Sequence, residues 1–394
     1  MPELYDPASH ETARSGTWGE ERVRATIREL AAEADAAYDE RSQWPLHPLD
    51  EDDGYVAPPT GFSELYLGSA GVLWALDRLA REGAIPRRVG DDRAVRAAYD
   101  SYLTGGGEQL ETGFLVGQVG ILLACYRLAP EERVADALHE LIRQNISEPR
   151  CDVVWGAPGT MRAAWWLWHW TGEERFAALW CESADAVWDL WRFDAELDCH
   201  VWGFRRQGRV DHIVGAGHGL AGNISSLLQG EELLTEARRE ALHGRARQAA
   251  LTLALRADGL ANWPPKVGDE GPHRVQWCHG APGVITSLAA LPAEPELDEL
   301  LVEAGRLVWQ AGPLAKGPGI CHGTAGNGYA LLALHRRTGD PIWLGRARDF
   351  ALHAVEQRHR QGTRYSLWTG DLGLACYLWD CIAGDGGVPT LDTF

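Results

Sequence analysis

The chain has 394 residues, 45% of them hydrophobic and 18 of them Trp, with a formal net charge of -19. That is ample apolar material for a large core, and so acidic a chain argues against a nucleic-acid partner. Eight cysteines in this length do not form a secreted disulfide framework, the first thirty residues lack an apolar signal segment, and no run of about 18 apolar residues exists to span a bilayer. A cytoplasmic protein with no membrane span is therefore expected.

In chain order, "RVRATIRELAAEADAAY" from Arg22 predicts an amphipathic helix, and "EDDGYVAPPTG" at 51–61 separates it from a repeat. The repeat is a Gly-x-x-Gly turn opening onto an apolar run. Its copies begin at Gly68, Gly117, Gly156, Gly219, Gly280, Gly323 and Gly370, spaced by 49, 39, 63, 61, 43 and 47 residues. The runs that follow, such as "VLWALDRLA" from Val72, "ILLACYRLA" from Ile121 and "YALLALHRR" from Tyr329, are too long for typical strands and predict helices. Polar-faced segments such as "RRVGDDRAVRAAYDSYL" predict a second, outer helix per unit. An inner helix apolar on most sides, alternating with an outer amphipathic one, gives an all-α fold, an α/α toroid of seven helical hairpins. Paired glycines suit a sharp turn into a helix and a close backbone approach. No linker divides the repeats, so one domain over 1–394 is expected, with 1–60 supplying an outer helix and a loop.

Aligned on the first glycine, positions minus two and minus one read Tyr66-Leu67, Leu115-Val116 and Val154-Trp155 in the first three copies, which are packing residues. The next three read Gly217-His218, Cys278-His279 and Cys321-His322, and the seventh reads Trp368-Thr369. Equivalent positions fall at one end of the toroid, so two thiols and three imidazoles gather on one arc of its mouth. Thiolates with imidazoles suit zinc. A closed set of Cys278, His279, Cys321 and His322 would be structural. Three ligands, Cys278, Cys321 and His322, with one open position would be catalytic, and this set is favoured because adjacent ligands are awkward to aim at one ion. Cys125, Cys376 and Cys381, within apolar helices, read as small buried hydrophobes.

"QWCHGAPGV" at Gln276, "CHGTAGN" at Cys321 and "GAGHGLAGN" at Gly215 resemble the signature of the lanthionine synthetase C-like family, and the resemblance runs from about Tyr66 to Asp380. It implies an α/α toroid and one zinc ion held by Cys278, Cys321 and His322. The implied reaction adds a thiol to a dehydroalanine or dehydrobutyrine residue, forming a thioether. By the same resemblance, His218 is the acid or enolate stabiliser, Asp152 the aspartate that orients an imidazole, and Arg274 an arginine near the enolate. Read without the resemblance, Asp152 is an N-cap and Arg274 a solvated side chain. Lanthipeptide cyclases commonly carry Tyr after the first zinc cysteine, where this chain has His279. The "WCHGAPG" form is similar to stand-alone members associated with glutathione addition, which makes His279 a second acid/base residue and favours a small thiol over a peptide Cys.

The implied partners are a dehydrated peptide or protein, glutathione, and a separate dehydratase or kinase/lyase that prepares the substrate. Two other classes compete. A carbohydrate-active α/α barrel would use Asp211, His212 and His218, but paired carboxylates are missing from the aligned positions. A non-catalytic scaffold stapled by zinc would bind peptide or glutathione without chemistry.

Overall fold

The structure, a computed structural model, describes residues 3–13, 16–52, 61–105, 110–206 and 209–394, so most of the 51–61 connection lies outside the described residues. In chain order the helices are α1 Glu20–Ala37, α2 Pro48–Asp52, α3 Ser69–Arg81, α4 Asp91–Gly105, α5 Gln118–Leu128, α6 Glu132–Asn145, α7 Ala157–Thr171 and α8 Glu174–Asp189. They continue with α9 Leu220–Gln229, α10 Glu236–Leu253, α11 Ala281–Leu288, α12 Pro295–Ala311, α13 Thr324–Thr338, α14 Pro341–Gln361 and α15 Asp371–Ala383.

Seven of these, α3, α5, α7, α9, α11, α13 and α15, start directly after the first glycine of a turn and form the inner layer. Their burial follows their composition: α13 buries every residue from Thr324 to Leu334, and α15 nearly all of its length. The outer helices bury one stripe. In α6 that stripe is Ala135, Leu138, Ile142 and Asn145, while Glu140 and Arg143 pair on the exposed face. Burying Leu138 and Ile142 stabilises by roughly 1.5–3 kcal/mol each. The ring closes where α15 packs on α3, with α1 as the outer partner of α15.

The turns explain their glycines. In five inner helices the first free N–H goes to a carbonyl seven residues back, Ser69 to Phe62, Gln118 to Glu111, Leu220 to Ile213, Thr324 to Gly317 and Asp371 to Arg364, while in α11 Ala281 N–H donates to the Asn262 side-chain oxygen. The chain therefore doubles back tightly on itself. At the second glycine of every turn a Cβ would fall on the carbonyl oxygen six residues earlier, 1.9 Å from Phe114 O at Gly120 and 1.8 Å from Ile320 O at Gly326. The backbone that comes close is thus the turn's own. The expectation of an all-helical chain needs one addition, because the two longest spacings carry antiparallel hairpins. Strands β1 Arg192–Asp194 and β2 Cys199–Val201 pair, as do β3 Phe204–Arg206 and β4 Arg209–Asp211, in the 63-residue interval. Strands β5 Leu255–Ala257 and β6 Leu260–Asn262 pair in the 61-residue interval.

The minus-two residues of successive turns form a ring of main-chain hydrogen bonds. Tyr66 N–H donates to Leu115 O (3.0 Å), Leu115 to Val154 (3.2 Å), Gly217 to Cys278 (3.5 Å), Cys278 to Cys321 (3.1 Å), Cys321 to Trp368 (2.9 Å) and Trp368 back to Tyr66 (3.2 Å). Six of seven joints are sealed this way. At the joint between the third and fourth turns, Val154 N–H donates instead to the Asp152 carboxylate, at 3.1 Å. Asparagines stitch the same turns from below: Asn223 donates to Cys151 O and Asn327 to Val275 O, each five residues before a first glycine.

Candidate metal centre and active site

The fifth and sixth turns set the sulfurs. Gln276 and His279 exchange N–H···O bonds, both 3.1 Å, leaving Trp277 and Cys278 as a two-residue loop. Gly280 follows with φ +106°, a conformation that an L side chain rarely adopts. Cys278 and Cys321 are both buried and adjacent in the hydrogen-bonded ring, and His322 is half-buried beside them. One donor atom from each of Cys278, Cys321 and His322 lies within 4.8 Å of the others. His279 stands outside this trio.

Around the trio the electrostatics favour a thiolate. A hydrogen bond with Cys321 lowers the Cys278 thiol against the upward push of burial, helped by the Gln276 amide and by the positive charge of His218 and Arg274. The Gln276 Nε2 lies 2.9 Å from Cys278 Sγ. Elsewhere burial moves thiols the other way, to about 12 at Cys125 and Cys376 and about 11 at Cys199. Burial also pushes His279 down to about 3, assisted by the charges of His218 and Arg274, and its Nδ1 has no hydrogen-bond partner. Burial thus favours the neutral form of the His279 imidazole.

The third and fourth turns supply the other half. Asp152 is fully buried, and its Oδ1 accepts the N–H groups of Val154, Trp155 and Gly156 at 2.8–3.2 Å. Its Oδ2 lies 2.9 Å from His218 Nδ1. One oxygen of Asp152 thus caps the turn and the other faces the His218 imidazole. A carboxylate only accepts, so Nδ1 carries the proton and Nε2 is the basic nitrogen of His218. Trp155 stacks on the imidazole, with centroids 5.0 Å apart and planes at 22°, and Phe204 from β3 meets its edge at 6.2 Å. The rings of His218 and His279 lie 6.2 Å apart, which brings the pair to the thiol cluster. Arg274 is exposed on the approach to the fifth turn.

Three contributors were not singled out by the sequence. Trp155 read as a packing residue; Gln276 carried no signal beyond its place in "QWCHG"; Phe204 arrives on a hairpin that periodicity did not reveal. Asp211 and His212 are engaged locally, Asp211 with Lys266 at 3.5 Å and His212 Nδ1 with Trp202 O at 3.0 Å. A cavity of about 460 Å³ is lined by Arg274, Gln276, Lys316, His273, His10 and Asp6 among others, with none of Cys278, Cys321, His322, His218 or His279 in its lining. A cavity of about 660 Å³ lies toward the C-terminal ends of the inner helices, around Arg162 and Trp379, and no mouth side chain lines it.

A seven-unit α/α toroid with two thiols and an imidazole on one rim defines a narrow class of proteins. The lanthionine synthetase C-like protein family profile matches residues 63–391, and the chain belongs to that family. It is 36% identical to "Glutathione S-transferase LANCL1" of Danio rerio over 44% of this chain and 44% of that protein. It is 35% identical to "LanC-like protein GCL1" of Arabidopsis thaliana over 43% of this chain and 40% of that protein. The matched segment thus spans less than half the length of these curated relatives. Among solved structures, nisin cyclase shares the fold with a TM-score of 0.61 at 16% identity, covering 91% of this chain and 94% of that one. No helix among the described residues is long and apolar enough to cross a membrane.

Proposed function

We propose that this protein joins a thiol to a dehydroalanine or dehydrobutyrine residue of a peptide or protein, forming a thioether with the help of one zinc ion. The observation that carries the reading is the Asp152–His218 pair set beside the Cys278, Cys321 and His322 donors on a single mouth. The donor set fits the ion. Tetrahedral zinc spaces sulfur and nitrogen donors roughly 3.5–4 Å apart, so atoms already within 4.8 Å need only a small contraction. Cys278, Cys321 and His322 would hold the zinc, which would supply the acidity that makes a substrate thiol nucleophilic at neutral pH.

The remaining work belongs to side chains. Addition at the β-carbon leaves an enolate, which needs a proton at the α-carbon. Asp152 fixes the His218 tautomer, so a proton held at Nε2 can be delivered there as the C–S bond forms. The Trp155 face limits water around the ring and keeps its plane. Arg274 brings positive charge for the enolate oxygen, and neutral His279 can donate a hydrogen bond without yielding a proton.

The cavity lined by Arg274 and Gln276 suits a small anionic thiol, since it offers Arg274 and Lys316 to carboxylates and Asp6 to an ammonium group. Glutathione has this chemistry, and the name of the Danio rerio relative points the same way. The test offers a dehydroalanine peptide with glutathione, and separately a dehydrated peptide carrying its own Cys. A gain of one glutathione mass supports addition in trans. Thiol loss without mass change supports cyclisation, and no thiol consumption in either arm by zinc-loaded protein refutes the reaction.

A further inference from the structure

The turns share a register, and the position four residues before the first glycine has a common habit. It is Glu64 in the first turn, Asp152 in the third, Gln276 in the fifth and Ser366 in the seventh, with glycine in the second, fourth and sixth. All four side chains longer than glycine are buried, and three of them reach a polar side-chain atom. Asp152 reaches His218 Nδ1 at 2.9 Å, Ser366 reaches Thr369 Oγ1 at 2.6 Å, and Gln276 reaches Cys278 Sγ at 2.9 Å. Gln276 is therefore the fifth turn's counterpart of Asp152.

We propose that Gln276 is a positioning residue of the metal site: its side-chain amide donates to Cys278 Sγ, fixing the direction of that sulfur and drawing charge from it. This rests on reading Cys278, Cys321 and His322 as zinc ligands. Three observations support the assignment beyond the single distance. Gln276 is 5% exposed, so its amide is largely withdrawn from bulk solvent. Its backbone is pinned by the two hydrogen bonds to His279, which leave the side chain little freedom to swing away. Of the polar side chains that can occupy this buried position, a neutral amide gives an N–H to sulfur without adding a charge. Glutamate, which has nearly the same shape, would present an acceptor or a second anion to a thiolate. Groups that hold a metal ligand from behind typically contribute 10–100-fold to metal affinity.

The experiment compares the full-length wild type with Gln276→Glu and Gln276→Leu. Zinc affinity is measured by competition with a chromophoric chelator, and the absorption of cobalt-loaded protein reports the charge on sulfur. Affinity is expected to fall about 10–100-fold in both variants. In Gln276→Leu the sulfur-to-cobalt charge-transfer band is expected to move to lower energy, since a sulfur that has lost a hydrogen bond gives up its electrons more readily. A purely structural role would leave that band where it is. Should the variants fold poorly, wild type loaded with NMR-active cadmium gives an independent reading: a glutamine side-chain amide proton should couple to the metal through sulfur. Unchanged affinity and band in folded variants, or no such coupling, overturns the role of Gln276 while the zinc reading stands. Wild type that takes up no zinc overturns both.

Discussion

The first and third turns place a carboxyl at the same register position with opposite outcomes. Glu64 is buried without a cation partner among the described residues, accepts from Ser63 N–H at 3.1 Å, and is pushed up to about 7 by burial despite its backbone hydrogen bonds. Asp152, equally buried, has three backbone N–H groups on one oxygen and an imidazole on the other. The difference lies in the next turn. Tyr66 N–H finds Leu115 O, so the first joint is sealed by main chain, whereas Val154 N–H turns back to Asp152 and the third joint is bridged by side chains. One backbone frame thus yields a packing side, at the seventh, first and second turns, and a reactive side, at the third to sixth.

The largest effects should come from emptying the reactive side. Cys278→Ala or Cys321→Ala is expected to take zinc content from about one ion per chain to none and to abolish thiol addition, with helix content retained, as read by metal analysis and circular dichroism. Zinc retained by both variants would place the metal elsewhere. His218→Ala and Asp152→Asn should keep the zinc yet lose on the order of 10²–10⁴ in kcat/KM. Loss of zinc in His218→Ala would instead recruit the imidazole as a ligand.

On the packing side the expected effects are on stability alone. Glu64 has its folded value raised from 4.5 to about 7, so it is protonated when folded and ionised when unfolded between those pH values. Stability is therefore lost as pH rises through that window, by about 3 kcal/mol in all. Glu64→Gln should flatten the pH dependence of urea unfolding between about 4.5 and 7 and leave zinc content unchanged; an unaltered slope would mean the carboxyl is already solvated. Gly120→Ala, whose Cβ would lie 1.9 Å from Phe114 O, is expected to cost about 1–3 kcal/mol or more in the same assay. The smallest effect belongs to the outer layer. A Cβ added at Gly244 in α10 would meet nothing within 4 Å, and Gly244→Ala should stabilise by about 0.4–1 kcal/mol.

Much of this was legible in the chain because the repeat carries its own register. Apolar runs after each Gly-x-x-Gly placed the seven inner helices, and aligning the glycines put Cys278, Cys321, His322 and His218 at one end. The hairpins escaped notice because strands of three residues have no room to display a period. Trp155 read as packing because an indole against an imidazole looks, in sequence, like an indole in a core. Gln276 was silent because an amide two residues from a cysteine has meaning only when the loop between them turns its side chain onto the sulfur.

By itself the sequence determined the repeat, the helical layers and which residue types share the rim, since these depend on local periodicity and spacing. Only the tertiary structure decided which joint lacks a main-chain link, that Asp152 crosses it to His218, and that His279 stays neutral while the Cys278 thiol is lowered. Those outcomes depend on burial and on distances between residues as far apart as 152 and 218, and both are set when the ring closes.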